Sequence, residues 1–577
     1  SIELNGERLD PALADGERIT LPNLAAQNVL KIDAEMFYTN TGEGLHRFVD
    51  PADGEIYLYS QFEVPDSRRV FPVFEQPDLK AEFEFSVRVP SHWVVVSNQP
   101  EVKIEPKDCG CGRAQTWYFK PTPRMSSYIT AIVAGPYEKV TSELTNSEGR
   151  VIPLGVYARK SLMPYVDADD IFELTRQGFE FYEEQFKTPY PFEKYDQLFV
   201  PEFNAGAMEN AGCVTYLETY VFRSKVAEAL RERRAITILH ELAHMWFGDL
   251  VTMKWWNDLW LNESFAEYTS TLAVAETTRF SDAWTTFQTI EKGWAYNQDQ
   301  LSSTHPVAAE INDLHDVEVN FDGITYAKGA SVLAALVGYV GRESFFEGIK
   351  NYLAAHAYGN ATLTDLLAEL ERVSGRDLGA WTRVWLQEAG VTTLRMSLTT
   401  DDDGVITSAE VVQEIPTGSP ASLRPHRVAI GSYTLTGRGD QAVLTRTGRI
   451  ELDVDGERTP VLGLVGTRRA DVLVLNDDDL TYAKVRLDEA SLAAGLEHVG
   501  AFAESLPRSV VLASAWDMVR DAELPSSRYL AAALDALAVE THSSVIQGLL
   551  ARITTCLSLY LPPDDRRAAA PGSAGAL

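Results

Sequence analysis

The chain has 577 residues and a mass of 64.0 kDa, more than one ordinary domain accommodates. With 45% hydrophobic and 23% charged residues it has a globular composition, which excludes a disordered chain, a collagen-like repeat and a disulfide-dense miniprotein. The 83 acidic against 51 basic side chains give a net charge of −32; that field repels polyanions, so nucleic acid and anionic membranes are poor partners and amines or metal ions better ones.

Residues 1–137 read as β structure. The runs RITLPNL, KIDAEMFYT, EIYLYSQFEV, AEFEFSVRVP and WVVVSN are rich in Val, Ile, Phe and Tyr, and alternation is clearest over 81–89. They predict an antiparallel sheet domain. KDCGCGR at 107–113 reads as a loop within it, since Cys109 and Cys111 lack the second Cys/His pair of a zinc knuckle. From DIFELTRQGFEFYEEQF onward the apolar period becomes helical. Helices are predicted over 224–248, 260–278, 282–296, 325–340, 342–356, 363–373 and 377–388, giving an α+β catalytic domain at 138–390. Strand patterns return over 391–486 as a small β-sandwich. Residues 487–577 read as helices followed by DDRRAAAPGSAGAL, a low-complexity tail expected to be disordered. These last helices are too few to cover one another, so a truncated helical domain is expected; Ser1 is not a start methionine, so a missing upstream piece is expected too. The fold class is therefore multidomain α+β.

No apolar run reaches the roughly 18 residues of a membrane span, and the first residues do not read as a signal peptide. Four cysteines, Cys109, Cys111, Cys213 and Cys556, are too few for a disulfide framework and suit a reducing compartment. A cytoplasmic location and no membrane insertion are the expectations.

The chemistry concentrates in ITILHELAHMWFGDLVTMKWWNDLWLNESFAEY. His240, Glu241 and His244 form H-E-x-x-H on a helical segment. Residues four apart share a helix face, so both imidazoles can reach one ion, and Glu241, about 100° around, can hold a water without ligating. Two such histidines also occur as plain helix residues. Glu263, with 18 residues between it and His244, tips the reading toward a metal. His, His and Glu leave one tetrahedral position open, the pattern of a catalytic zinc, which lowers the pKa of water to about 7. Upstream, PEFNAGAMENAG places Glu209 among small residues that let a ligand approach the backbone. Alone this is a surface turn; beside the zinc motif it is a cation site.

G-A-M-E-N followed by H-E-x-x-H-x18-E resembles the M1 family of zinc aminopeptidases, the gluzincins of aminopeptidase N type. SQFEVPDSRRVFPVFEQPDLKAEF (60–83) and FDGITYAKGASVL (321–333) extend the likeness along the chain. The resemblance implies a β-rich saddle domain with a truncated start (1–137), a thermolysin-like catalytic domain (138–390), a β-sandwich (391–486) and the start of a helical C-terminal domain (487–577). It implies His240, His244 and Glu263 as ligands of one Zn2+, Glu241 as general base and Tyr326 as oxyanion stabiliser. Glu209 and Glu63 would bind the substrate amine. Gln61 and Met208 would line the first side-chain pocket, and Gly206 and Ala207, ahead of Asn210, would pair with substrate as an added strand. The implied activity is of the membrane alanyl aminopeptidase type: a monomer that removes single residues from peptides with a free N-terminus. A zinc endopeptidase and a dual-function epoxide hydrolase share the metal set. A non-catalytic peptide-binding scaffold would have lost a ligand or the base. Glu267 has two readings, an orienting group for a ligand or a solvated helix face, and the remaining histidines, His305 included, read as ordinary.

Overall fold

The computed structural model describes residues 1–109 and 112–566. Cys111 of the 107–113 loop and residues 567–577 of the expected disordered tail lie outside them. The chain forms two compact units. The first comprises Ser1–Val140, Gly155–Pro164 and Lys194–Glu218; the second comprises Thr141–Leu154, Tyr165–Glu193 and Thr219–Leu577.

The first unit is built of small sheets. Ile2–Leu4 pairs with Glu7–Leu9 and Leu30–Ile32. Gly44–Val49, Ile56–Gln61, Ile132–Gly135 and Val94–Ser97 follow one another across a four-stranded sheet. Ser86–Pro90, Gly112–Phe119 and Glu101–Cys109 form a third sheet, whose strands reach further into 107–113 than the expected loop. Leu58, Val89, Val95, Phe119 and Ala134 form an apolar core between them. Three predicted strands shrink. Over 18–24 only Ile19 bridges, to Ala14, and the chain turns at Pro22 and Asn23, where φ is 54°. Over 31–39 the strand stops at Ile32 and pairing resumes only at Thr39, which bridges to His46, because every residue of 33–38 is exposed and alternation has no face to bury. Over 81–89 the ladder starts only at Ser86. Farther along, Tyr195–Val200 pairs in parallel with Cys213–Leu217, and Ala207–Met208 lies at the edge, antiparallel to Cys213–Leu217.

The second unit carries the helices α1 (Ala168–Phe186), α2 (Glu228–His244), α3 (Trp260–Thr277), α4 (Ala283–Thr286) and α5 (Lys292–Asp299). There follow α6 (Leu314–Glu318), α7 (Gly329–Val340), α8 (Arg342–His356), α9 (Leu363–Ser374) and α10 (Gly379–Leu386). Local signals explain their ends. Thr362 and Asp365 form a reciprocal capping box on α9, and Gly375 closes it at φ 68°. Two predicted helices are broken by π-helical turns, at Phe287–Glu291 between α4 and α5 and at Ile324–Lys328 before α7.

Thr393–Thr400, Ile406–Glu414, Arg458–Pro460 and Lys484–Arg486 form one sheet, and His426–Thr436, Val443–Val454 and Val472–Leu475 another. Between them lie Leu394, Val411, Val428, Ile430, Val472 and Val474. The same cluster continues without a break into α11 (Glu489–Glu497), α12 (Ser505–Arg520), α13 (Ser526–Val539) and α14 (Ser543–Thr555), through Leu492, Val511, Leu530 and Leu549. Outer positions such as Val539 and Leu559 stay exposed. Among the described residues no single helix is long and apolar enough to cross a membrane.

Candidate metal centre

Helix α2 is buried along most of its length, so its polar residues need partners. Arg234 is 1% exposed and pairs with Asp170 of α1 at 2.6 Å. Two turns later the same helix presents His240, Glu241 and His244, all buried. Helix α3 packs across it and brings Glu263 to both imidazoles. Glu263 Oε2 lies 3.3 Å from His240 Nε2 and 3.5 Å from His244 Nε2. Ligand atoms about 2.0–2.1 Å from one tetrahedral ion stand about 3.4 Å apart, so the donor set fits zinc in both chemistry and spacing.

The far side of each ring is held as well. His244 Nδ1 lies 2.9 Å from the carbonyl oxygen of Phe247, and His240 Nδ1 lies 3.2 Å from Glu267 Oε2. Both partners accept, so each Nδ1 carries a proton, and each Nε2 is the ring atom left to face Glu263 and to offer its lone pair once a metal replaces any proton there. Of the two sequence readings of Glu267, the structure favours the orienting one: it is buried, not a solvated helix face. Behind it, Arg233 Nη1 lies 2.9 Å from Glu291 Oε1.

Electrostatics follow the geometry. Burial opposes charge on His240, yet Glu263 and Glu267 outweigh it and lift the imidazole to about 9. Burial also opposes charge on Glu263, but the two imidazoles draw it down to about 2. Burial lifts Glu291 to about 7 against the pull of Arg233, and Glu267 adds to the rise. The cluster is a desolvated set of charges in balance, and a divalent cation would take the protons' place.

A Glu241 carboxylate oxygen lies within 4.8 Å of a His244 ring nitrogen. Tyr326, in the π turn Ile324–Lys328, stacks over His240 with ring centroids 6.0 Å apart and planes 14° apart. Trp294 of α5 also packs against Tyr326, with ring centroids 6.0 Å apart. The second unit thus gathers His240, His244, Glu263, Glu241 and Tyr326 at one place.

The remaining predicted residues belong to the first unit and cluster there. Gln61 ends the strand Ile56–Gln61, and its Oε1 is buried. Carboxylate oxygens of Glu63 and Glu209 lie within 4.8 Å of each other. Gly206 accepts from the Leu217 N–H at 2.9 Å, which fixes the start of the edge strand Ala207–Met208. Met208 and Asn210 are buried, and Asn210 Nδ2 reaches Thr215 Oγ1 at 3.3 Å.

Sequence reasoning passed over three groups. Ser264 donates to the carbonyl of Thr325 at 2.6 Å, His305 Nε2 meets Asp322 at 2.8 Å, and Lys328 pairs with Asp299 at 2.9 Å. Each joins residues distant in sequence, and none forms a motif. Only the closeness of Lys328 to Tyr326 was visible beforehand.

Comparison with known proteins bears on the family of the chain. Residues 171–385 match the Peptidase family M1 domain, 14–129 the Peptidase M1 N-terminal domain, and 472–571 the ERAP1-like C-terminal domain. The chain is 57% identical to aminopeptidase N of Streptomyces lividans over 98% of its own length and 66% of that protein's. It is 33% identical to aminopeptidase M1-B of Oryza sativa subsp. japonica over 82% of its length and 52% of the relative's. It is 37% identical to tricorn protease-interacting factor F2 of Thermoplasma volcanium over 59% of its length and 42% of the relative's. The chain therefore spans between about two fifths and two thirds of these relatives, and with all three regions matched it belongs to peptidase family M1.

Proposed function

We propose that the protein is a zinc aminopeptidase that hydrolyses the first peptide bond of peptides with a free N-terminus. The observation that carries this reading is the convergence of His240, His244 and Glu263 at tetrahedral spacing with Glu241 beside them. The names of the Streptomyces and rice relatives support the exopeptidase assignment.

Zinc held by His240, His244 and Glu263 would supply Lewis-acid polarisation and an acidified water. Glu241 accepts the proton of the attacking water and returns it to the leaving amine. The Tyr326 phenol donates a hydrogen bond to the oxygen that gains charge as the carbonyl becomes tetrahedral. Glu209 and Glu63, two carboxylates within 4.8 Å of each other, are suited to an ammonium, whose charge relieves their mutual repulsion. That pairing counts one residue from the chain end. Gly206 and Ala207 offer an edge strand on which the peptide backbone can add. Gln61 and Met208 contribute to the first side-chain pocket, and Asn210, close to Met208 in sequence, to substrate binding. Alanyl substrates are the natural reference for that pocket, and a monomer is the proposed state. Cys213 and Cys556 are buried free thiols, which supports a reducing, cytoplasmic setting.

One zinc per chain is expected by elemental analysis, and a chelator should abolish release of a chromogenic amine from aminoacyl substrates. N-acetylation of a peptide should abolish its cleavage. Equal cleavage of the acetylated twin would replace this reading with an endopeptidase.

A further inference from the structure

Tyr326 does not sit on a regular helix. It occupies the middle of a five-residue π turn, and such a turn persists only where its surroundings hold it. Three sets of contacts do so. Ahead of the turn, Asp322 Oδ1 accepts from the N–H groups of Ile324 and Thr325 at 3.0 Å each, and Asp322 Oδ2 lies 2.8 Å from His305 Nε2. Gly323 donates to Gln298 Oε1 at 2.5 Å and lies so close to α5 that a Cβ there would stand 2.9 Å from the Ala295 nitrogen. At mid-turn, Ser264, next to Glu263, donates to the Thr325 carbonyl at 2.6 Å.

The last contact is the most costly to build. Lys328 closes the turn two residues after Tyr326, and its side chain and that of Asp299 are both 0% exposed. The ammonium lies 2.9 Å from Asp299 Oδ2 and donates to the Gly390 carbonyl at 3.0 Å. Asp299 Oδ1 accepts from Thr304 Oγ1 at 2.6 Å and from the Gly390 N–H at 3.1 Å. Arg424 Nη1 reaches the same Gly390 carbonyl at 2.5 Å. A buried ion pair of this kind adds little net stability over an apolar replacement, while it does fix geometry. Here it ties the Tyr326 turn both to the end of α5 and to the short link between α10 and the strand Thr393–Thr400.

We propose that Lys328 is a positioning residue for Tyr326, its buried ammonium fixing where the phenol points and coupling that direction to Gly390. This rests on the reading that the Tyr326 phenol acts in hydrolysis.

The test is a double-mutant cycle on the full chain, using Lys328→Met and Tyr326→Phe. Lys328→Met should lower kcat about tenfold while KM stays within about twofold and zinc content is unchanged, because the phenol is misaimed rather than lost. In the Tyr326→Phe background the same substitution should change kcat by less than about twofold, since no hydroxyl remains to aim. A full tenfold loss in both backgrounds overturns the proposal, as does an unchanged kcat in Lys328→Met. If Lys328→Met does not fold, Asp299→Asn takes its place: it keeps side-chain size and removes the charge, and it must show the same non-additivity. A normal kcat in Tyr326→Phe sinks the reading of the phenol and the proposal with it. A low kcat there with additive losses sinks the proposal alone.

Discussion

Replacing Glu241 with Gln keeps the side chain's size and removes its basicity. Turnover should fall by about 10²–10⁴ with zinc content unchanged, measured as kcat beside metal stoichiometry. Glu267 acts one step further out. Replacing it with Ala takes the acceptor from His240 Nδ1, and zinc affinity should fall about 10–100-fold by competition with a chelating dye. The two residues differ in how readable they are. Glu241 is visible because H-E-x-x-H encodes a helix face in its spacing. Glu267 stands four residues after Glu263, but carboxylates at that interval are common on solvated helices, and only the packing of α3 on α2 shows that this one is buried. His305, read as ordinary, has acceptors at both ring nitrogens, the Pro306 carbonyl at 2.7 Å and Asp322 at 2.8 Å; the charged imidazolium satisfies both.

At the scale of elements, helix positions followed from apolar periodicity, whereas the π turns did not. A sequence window over 325–340 looks like one helix; the extra residue of the turn depends on Ser264 and Asp299, which lie far off in the chain. Gly329 is where the turn meets α3. A Cβ there would lie 2.0 Å from Ser264 Oγ, so Gly329→Ala must push the turn and α3 apart. A cost of about 1–3 kcal/mol in denaturant unfolding is expected, together with a lower kcat. The early strands were misjudged for a related reason. Alternation over 31–39 records side-chain chemistry only, and a strand also needs a neighbour and a face to bury, which 33–38 lack.

At the scale of the whole molecule, a histidine buried without charge adds to the loss of stability in acid. Burial, with Arg424 nearby, depresses His426 to about 3 from the ordinary 6.5. Its ring contacts Thr481 Oγ1 at 2.9 Å and Thr392 Oγ1 at 3.2 Å. Between these two values the unfolded chain binds a proton that the folded chain does not. Stability therefore falls as pH drops from 6.5 toward 3, by about 1.4 kcal/mol per pH unit from this residue. In His426→Phe the melting temperature should decline less steeply over that range; an equal slope in both proteins would show that the residue titrates normally.

The apolar cluster that runs from the two late sheets into α11–α14 has a further consequence. Val472, Val511 and Leu549 share one interior, although a linear map would assign them to separate modules. A nick near residue 487 would leave neither side self-sufficient: the sheets would lose their lid and the helices their floor. Limited digestion should accordingly yield no trimmed product ending there. Hydrogen exchange should find Val474 and Leu512 opening together, as a single cooperative block.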